Sequence, residues 1–351
     1  MSEETPFRGK PVDPSRDDVC LITGATGFIG GRLAGRLVQE GYSVRCLVRA
    51  SSDTSLLDEL DVQIAVGDLT KAVSLARAVE GCHYVFHCGA LVSDWATTEE
   101  IARTNVEGTR KLLEASVGAS VQRFIHFSTT DVYGYPGRVA TDETQVATRF
   151  RNWYAQTKLA AEAEVRRVEK AHDLNAVILR PATVYGPRST DVVGEIARAM
   201  RHGNMLLVNG GRAVAGLCYV DNLMDAAVLA LRHKAAAGQA FNVSDGLDIT
   251  WKEFTDGLAN GLGCSQVRWS LPYWMANAVG FSLEHGYRFL RRTTRLNTQP
   301  LLSRQAVHVL GTDQCFSNRK AREMLGWAPR IDYATGLETT LAWLRAEHLK
   351  H

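Results

Sequence analysis

Short runs rich in apolar residues alternate with helical patterns through the first half of the chain. The runs cover residues 19–23, 44–48, 62–66, 83–88 and 123–127. The first run, residues 19–23, is typical of a strand that is buried on both faces of a parallel sheet. Helical spacing follows the first run as far as Glu40 and recurs from Glu99 to Ser116. Strands that alternate with helices predict an α/β fold with a doubly wound parallel sheet.

The length, net charge and cysteine content of the chain limit its number of domains, its partners and its location. A chain of 351 residues is long enough for about two domains. The net charge of +2, from 40 basic and 38 acidic residues, provides no field that would attract nucleic acid. Seven cysteines without a Cys-x-x-Cys pair indicate reduced thiols in a cytoplasmic setting. Residues 1–16 are polar and carry prolines, which predicts a flexible tail.

A glycine-rich turn lies between the first predicted strand and the first helix. Gly24, Gly27 and Gly30 have the spacing Gly-x-x-Gly-x-x-Gly. At a helix start, such a turn brings backbone N–H groups and the positive helix end to a pyrophosphate. The alternative is a turn that needs glycine only for its backbone conformation. The position between strand and helix favours a dinucleotide site.

The end of the second strand bears on cofactor choice. An NAD site carries an acid about 20 residues past the glycines, bonded to the ribose 2′-hydroxyl. This chain has Arg49 there, followed by Ser51 and Ser52. A guanidinium suits a 2′-phosphate, although Arg49 could also be a solvated side chain. We therefore expect NADP(H), with NAD(H) as the alternative.

Tyr154 and Lys158 are candidates for acid–base chemistry. They are four residues apart on a predicted helix, so both side chains lie on one helix face. An ammonium beside a phenol favours the phenolate, and we expect it to lower the pKa of Tyr154 from its usual value near 10. Ser128 and Thr129 follow the fifth strand, at an edge where α/β sites form. An exposed lysine on an ordinary helix and hydroxyls that only cap a loop are the alternatives.

Cys82, His83, His87 and Cys88 superficially resemble a zinc site. His83 and His87 alternate along one face of a predicted strand, however, while the cysteines lie at its ends. No compact tetrahedral spacing results, so we expect no metal.

Together these motifs resemble the extended short-chain dehydrogenase/reductases, from about Val19 to the C-terminus. Further matches to the family pattern lie at residues 105–109, 180–187, 219–222, 241–243, 320–321 and 325–329. The resemblance implies that Tyr154 is the general acid/base, that Lys158 lowers its pKa and holds the nicotinamide ribose, and that Thr129, with Ser128 beside it, bonds the reacting oxygen. The implied cofactor contacts are Gly24, Thr26, Gly27, Phe28, Ile29, Gly30, Arg49, Ser52, Asp68, Leu69, Gly89, Ala90, Asn105, Tyr154, Lys158, Pro181, Ala182, Thr183 and Val184.

The same resemblance implies a domain plan and an assembly. Residues 17–185, with returning segments near 215–245, would form a Rossmann-like dinucleotide-binding domain. Residues 186–214 and 246–351 would form a smaller α/β substrate-binding region. Helices that begin near Glu99 and Trp153 would form the dimer surface of a homodimer.

Two departures separate this chain from the nucleotide-sugar members of the family. Thr183 stands where those enzymes usually carry asparagine, and Ala215 stands where they place an arginine on the diphosphate, although Arg212 is near. Residues 218–222, 300–304 and 316–317 resemble 3β-hydroxysteroid dehydrogenase-like proteins, and residues 45–49 resemble dihydroflavonol reductases.

We therefore expect a dehydrogenase or ketoreductase for a hydrophobic substrate such as a sterol, isoprenoid, polyketide or aromatic ketone. A nucleotide-sugar epimerase or dehydratase with tightly bound NAD is the alternative. A non-catalytic dinucleotide sensor is a third interpretation, disfavoured by the Thr129, Tyr154 and Lys158 set.

Residues 269–283 carry no charge and precede a basic cluster, Arg288, Arg291, Arg292 and Arg295. The stretch is too short to cross a bilayer. It predicts an amphipathic lid over an apolar pocket; core packing and peripheral membrane contact through residues 269–295 are the alternatives.

Overall fold

A seven-stranded parallel sheet forms the centre of the molecule. The structure, a computed structural model, describes residues 15, 17–92, 96–134, 137–145, 153–293 and 303–348. The strands are β1 Val19–Thr23, β2 Ser43–Val48, β3 Val62–Val66, β4 Tyr84–His87, β5 Arg123–Phe127, β6 Gly137–Thr141, β7 Ala176–Pro181, β8 Thr183–Tyr185, β9 Leu207–Val208, β10 Leu217–Tyr219, β11 Gln239–Val243, β12 Ser270–Leu271 and β13 Gln314–Phe316.

Helices cover both faces of this sheet and build the C-terminal region. They are α1 Phe28–Gln39, α2 Ala72–Val79, α3 Thr98–Ala102, α4 Gly108–Gly118, α5 Trp153–His172, α6 Glu195–Arg201, α7 Val220–Arg232, α8 Trp251–Leu262, α9 Tyr273–Thr293, α10 Arg304–Gly311, α11 Arg319–Leu325 and α12 Tyr333–His348.

The strand order confirms the predicted doubly wound sheet. The order is β11-β7-β5-β4-β1-β2-β3, and each neighbouring pair is parallel. The chain builds outward from β1 to β3 and then returns to add β4 on the other side of β1. This reversal opens a crevice above the carboxyl ends of β1 and β4, which is where doubly wound sheets bind ligands.

Two apolar layers hold the helices to the sheet. On one face, α1 and α7 bury Leu33 and Leu223 completely. On the other face, α4 and α5 bury Leu112 and Val165 completely. Burial of one such side chain contributes about 1.5–3 kcal/mol relative to leaving it exposed. β1 lies between the layers and is buried on both sides, as its sequence predicts, whereas Ile64 and Val66 on the edge strand β3 are 46% and 65% exposed.

The helical pattern predicted from Glu99 to Ser116 is divided into three parts. α3 is followed by one turn of π-helix at Arg103–Glu107, and α4 begins at Gly108. Single π-helical turns inside longer helices are frequent at functional sites. The turn contains Asn105, whose side chain is bonded outside the helix.

A buried asparagine joins the C-terminal region to the sheet. The Asn222 side-chain N–H donates to Asp245 Oδ1 (2.9 Å), and Asn222 Oδ1 accepts from the N–H of Ile331 (2.9 Å). Trp327 Nε1 donates to the Asn222 carbonyl (2.9 Å). The motifs at residues 219–222 and 325–329 are more than a hundred residues apart. These bonds explain why both are part of the family pattern, because each motif satisfies buried polar groups of the other.

The uncharged stretch 269–283 forms β12 and the first half of α9. Trp269 is 78% exposed and Trp274 is 68% exposed, so core packing is the wrong interpretation for these two side chains. Ala276 and Gly280 face inward and are buried. Across the described residues, no helix combines the length and apolar character needed to cross a membrane.

Candidate active site

The glycine turn brings three backbone segments unusually close together. Gly24 has a φ of +72°, and a Cβ there would lie 2.8 Å from backbone atoms of Gly89. A Cβ on Gly30 would lie 2.2 Å from the Gly24 carbonyl oxygen. Gly27 precedes α1 and has no side chain that could cap it, which leaves the N–H groups of the first helical turn directed at the crevice. This arrangement, including Thr26, Phe28 and Ile29 around the helix start, fits a dinucleotide pyrophosphate.

The predicted adenine side of the site lies at the ends of β2 and β3. Arg49 is exposed directly after β2, and its carbonyl accepts from the Ser52 N–H (2.9 Å). Asp68 Oδ1 accepts from the Thr70 N–H and hydroxyl (2.7 Å each); these bonds lower the pKa of Asp68, and the charge of Arg49 lowers it further. The structure therefore brings Arg49 and Asp68 together.

Leu69 packs closely against two glycines. A Cβ on Gly89 would lie 3.2 Å from the Leu69 side chain, and a Cβ on Gly108 would lie 3.1 Å from the Leu69 Cβ. Gly89 and Ala90 follow β4, so these predicted cofactor residues share the carboxyl edge with the glycine turn.

The Asn105 side chain is bonded to the backbone of the loop after β4. Its Oδ1 accepts from the Leu91 N–H (2.7 Å), and its Nδ2 donates to the Leu91 carbonyl (3.1 Å) and toward Thr157 Oγ1 (3.3 Å). The side chain thus holds the cofactor-side loop to α5. The geometry supports an indirect role for Asn105, as the residue that places Gly89 and Ala90.

The histidines that resembled a zinc box are bonded within the protein. His87 Nε2 lies 2.8 Å from Thr109 Oγ1, which donates its own hydrogen to the Asn105 carbonyl (2.6 Å). His87 therefore donates from Nε2 and accepts at Nδ1 from Thr23 Oγ1 (2.7 Å). Burial lowers the pKa of His87 to about 3, so the ring is neutral. His83 Nδ1 instead accepts from the Val19 N–H (3.0 Å).

Lys158 is buried beneath the crevice. It is 3% exposed, and its ammonium donates to the carbonyl of Phe127, the last residue of β5. Burial lowers the pKa of Lys158 to about 8, against the opposing charge of Glu162. Lys158 is therefore mostly an ammonium at neutral pH, but it loses its proton at a lower pH than an ordinary lysine.

The sequence predicts a lowered pKa for Tyr154, and the structure shows the opposite direction. Its pKa is raised above the usual value, first by burial and then by the charge of Asp131, so the predicted lowering is wrong for this structure. The reason is that Lys158 directs its ammonium at the Phe127 carbonyl, while desolvation penalises the phenolate. Tyr154 is a protonated phenol near neutral pH.

The two hydroxyls after β5 have different surroundings. Thr129 is partly exposed, and its Oγ1 accepts from the Asp131 N–H (3.2 Å) at the start of a 3₁₀ turn. Ser128 is 5% exposed, and its Oγ has no hydrogen-bond partner in the part of the chain that the structure describes. Of the two hydroxyls, that of Thr129 is the more accessible, and its role at the reacting oxygen stays a prediction.

Residues 181–184 run from the end of β7 into β8. The Ala182 N–H donates to the Val243 carbonyl (3.0 Å), and the Thr183 N–H donates to the Gly216 carbonyl (2.8 Å). These bonds fix Pro181, Ala182, Thr183 and Val184 at the carboxyl edge, where the resemblance expects the nicotinamide.

Three charged residues near the site were missed from the sequence. Glu162 is one helical turn beyond Lys158 and is bonded to Arg180, and Asp131 acts on Tyr154. The four-residue spacing from Lys158 to Glu162 could have indicated a shared helix face. No local pattern indicated the pairing with Arg180.

Comparison with known proteins identifies the family. The model of the NAD dependent epimerase/dehydratase family matches residues 20–244. A 4-hydroxy-2-methyl-3-oxo-4-farnesyl-3,4-dihydroquinoline-1-oxide ketoreductase of Stigmatella aurantiaca is 30% identical over 91% of this chain and 94% of its own length. The decarboxylating sterol-4-alpha-carboxylate 3-dehydrogenase of Mus musculus is 27% identical over 94% of this chain and 91% of its own length.

A similar solved structure, the crystal structure of gox2253, has a TM-score of 0.79 and 30% sequence identity, and covers 94% of this chain and 99% of that one. The match to the family model and the geometry of the crevice agree. The chain therefore belongs to the NAD-dependent epimerase/dehydratase family and is an NAD(P)-dependent oxidoreductase of the extended short-chain dehydrogenase/reductase type.

Proposed function

We propose that this oxidoreductase interconverts a carbonyl group and a secondary alcohol on a hydrophobic substrate, such as a sterol, isoprenoid, polyketide or aromatic ketone. The observation that carries the proposal is the placement of Thr129, Tyr154 and Lys158 at the same sheet edge as the glycine turn. The two relatives support a hydrophobic substrate, because the farnesylated quinoline and the sterol in their names are hydrophobic.

Thr129, Tyr154 and Lys158 can each take a separate role in the proton transfer. When bound, the cofactor supplies or accepts a hydride at the carbon that bears the oxygen. Tyr154, a protonated phenol, donates its proton to that oxygen during reduction and takes it back during oxidation. Thr129 Oγ1 already accepts from the Asp131 N–H, so its own hydrogen can be donated to the same oxygen. As the resemblance implies, Lys158 would hold the nicotinamide ribose, and its positive charge would favour the phenolate that forms.

The crevice lacks the arginine that a nucleotide diphosphate would need at residue 215. Ala215 is fully buried. Arg212 is exposed at a cleft of about 600 Å³, but Asp313 lines the same cleft and its carboxylate would oppose a diphosphate. These surroundings disfavour a nucleotide-sugar epimerase or dehydratase.

Replacement of the tyrosine tests the chemistry. Tyr154→Phe keeps the ring and removes the transferable proton, so we expect a loss of about 10²–10⁴-fold in kcat for reduction of a hydrophobic ketone. Lys158→Ala should lower both kcat and cofactor affinity. Cofactor binding by Tyr154→Phe, followed by fluorescence, should be nearly unchanged and serves as the folding control. Near-full activity of Tyr154→Phe would refute the assignment.

We further propose that the enzyme prefers NADP(H), because Arg49 can pair with the 2′-phosphate. A charge-assisted hydrogen bond contributes about 1.5–3 kcal/mol, which corresponds to a preference of about tenfold or more. Arg49→Ala should weaken NADP(H) by that factor and leave NAD(H) nearly unchanged. Lys71→Ala is the matched control, since Lys71 is an exposed cation whose charge also acts on Asp68. Equal losses for both cofactors in Arg49→Ala would argue against the pairing.

We also propose a homodimer through α3–α4 and α5, the surface that the resemblance implies. α4 and α5 pack side by side, and Trp153 at the start of α5 is 45% exposed. Light scattering at about 10 μM should give twice the chain mass of 38.6 kDa. A monomer mass at that concentration contradicts the proposal.

A last proposal concerns location: a cytoplasmic protein that contacts a membrane surface through the N-terminal half of α9 and the loop before it. Trp269, Trp274 and Phe281 are exposed there by 78%, 68% and 48%. Tryptophan side chains favour the membrane–water interface. Sedimentation with anionic phospholipid vesicles should recover the wild type, and Trp269→Ser/Trp274→Ser should bind about tenfold more weakly. Trp153→Ser is the control, and a wild type that stays in the supernatant excludes the contact.

A further inference from the structure

A buried ion pair between α5 and β7 links the two parts of the chain that carry the catalytic side chains, α5 and the turn after β5. Glu162 is 4% exposed and Arg180 is 9% exposed. Arg180 Nε donates to Glu162 Oε1 (2.9 Å), and its Nη2 donates to Glu162 Oε2 (2.6 Å). This bidentate pairing fixes both the distance and the orientation between α5 and the end of β7.

The same guanidinium also reaches the turn that follows Thr129. Arg180 Nη1 donates to the Tyr133 hydroxyl (2.7 Å), and the guanidinium lies 5.0 Å from the centre of the Tyr133 ring. The Tyr133 hydroxyl in turn donates to Asn242 Oδ1 (2.6 Å), on β11. One side chain thus contacts the helix of Tyr154 and Lys158 and the turn that begins at Thr129.

Glu162 is also the carboxylate that acts most directly on Lys158. The two side chains are four residues apart on one face of α5, and both are buried. The charge of Glu162 opposes the effect of burial and raises the pKa of Lys158. A buried pair is weak evidence for stability, since apolar replacements are often neutral or stabilising. A role in the site is a better account of its position.

We propose that Glu162 and Arg180 are positioning residues for the reaction: the pair sets the spacing of Thr129, Tyr154 and Lys158, and the Glu162 carboxylate places a negative charge one helical turn from the Lys158 ammonium. This inference rests on the proposed function for its effect on turnover, but not for its effect on the charge of Lys158.

The titration of Lys158 can be measured separately from that of the titratable groups around it. Tyr154 and Glu162 share its helix, His87 and Cys88 lie at the end of β4, and His126 lies on β5. Burial lowers the pKa values of His87 and His126 and raises those of Cys88 and Tyr154. Around pH 8, these four neighbours keep their protonation states, so a local inflection there reports Lys158.

The first test measures that charge in the protein without cofactor. Lysine ε-carbons labelled with ¹³C are titrated by NMR, and Lys158→Arg identifies the signal. We expect an inflection at about pH 8 in the wild type. Because Glu162 favours the ammonium, Glu162→Gln should move the inflection down by about one pH unit. Glu164→Gln is the matched control, since Glu164 is on the same helix but pairs with Arg167, and it should leave the inflection unchanged.

The second test measures positioning by steady-state kinetics at pH 6, where Lys158 remains charged in both proteins. Glu162→Gln should lower kcat for ketone reduction by about tenfold or more, with a small change in KM. Glu162→Asp keeps the carboxylate but shortens its reach, so it should restore the inflection near pH 8 without restoring kcat fully.

Loss of one partner leaves a buried charge, so Glu162→Gln could fail to fold. The double variant Glu162→Gln/Arg180→Met removes both charges and should retain a cooperative thermal transition. Its inflection should lie between those of Glu162→Gln and the wild type, because loss of the Arg180 charge partly offsets loss of the carboxylate. An unchanged inflection in the folded variants would overturn the proposal. Wild-type protein that reduces no hydrophobic ketone would instead refute the proposed function, while the NMR result would still decide the role of Glu162.

Discussion

The burial of one ammonium group, that of Lys158, is the constraint on which the arrangement of the site depends. A lysine removed from water must find acceptors or lose its proton. Here the carbonyl of Phe127 accepts from it, Glu162 lies one turn away, and the neighbouring His87 is neutral. Between pH about 8 and the ordinary lysine value, the unfolded chain binds more protons, so stability rises with pH in that window. Keeping Lys158 charged at neutral pH therefore costs stability, and its position is better explained by chemistry.

The sheet provides the hydrogen-bond acceptor that a buried lysine needs. Phe127 is the last residue of β5, so its carbonyl lies at the carboxyl edge where the crevice opens. The same edge carries the glycine turn after β1, and the His87 network joins β1, β4 and α4 beneath it. The polar groups that surround the reaction centre are thus held by strand ends and helices rather than by loops alone.

Much of this arrangement could be predicted from the sequence. β1 was recognisable because its run of residues is apolar on both faces, and Gly24 and Gly30 stand out because any larger residue would collide with neighbouring backbone. Tyr154 and Lys158 share a helix face by spacing alone. The direction of the Tyr154 pKa was not predictable, because it depends on where the ammonium is bonded and on how far the phenol is desolvated. Pairing between Glu162 and Arg180 arises from contacts between separate elements, which no local pattern encodes.

The central claim is net hydride transfer to a hydrophobic carbonyl at this crevice. The most direct measurement is to incubate the protein with a hydrophobic ketone and NADPH that carries deuterium at the transferable C4 position, and to analyse the product by mass spectrometry and NMR. The account predicts one deuterium on the carbinol carbon and one NADPH consumed for each alcohol formed. Turnover of a nucleotide sugar without net consumption of the dinucleotide, together with no reduction of hydrophobic ketones, would contradict it.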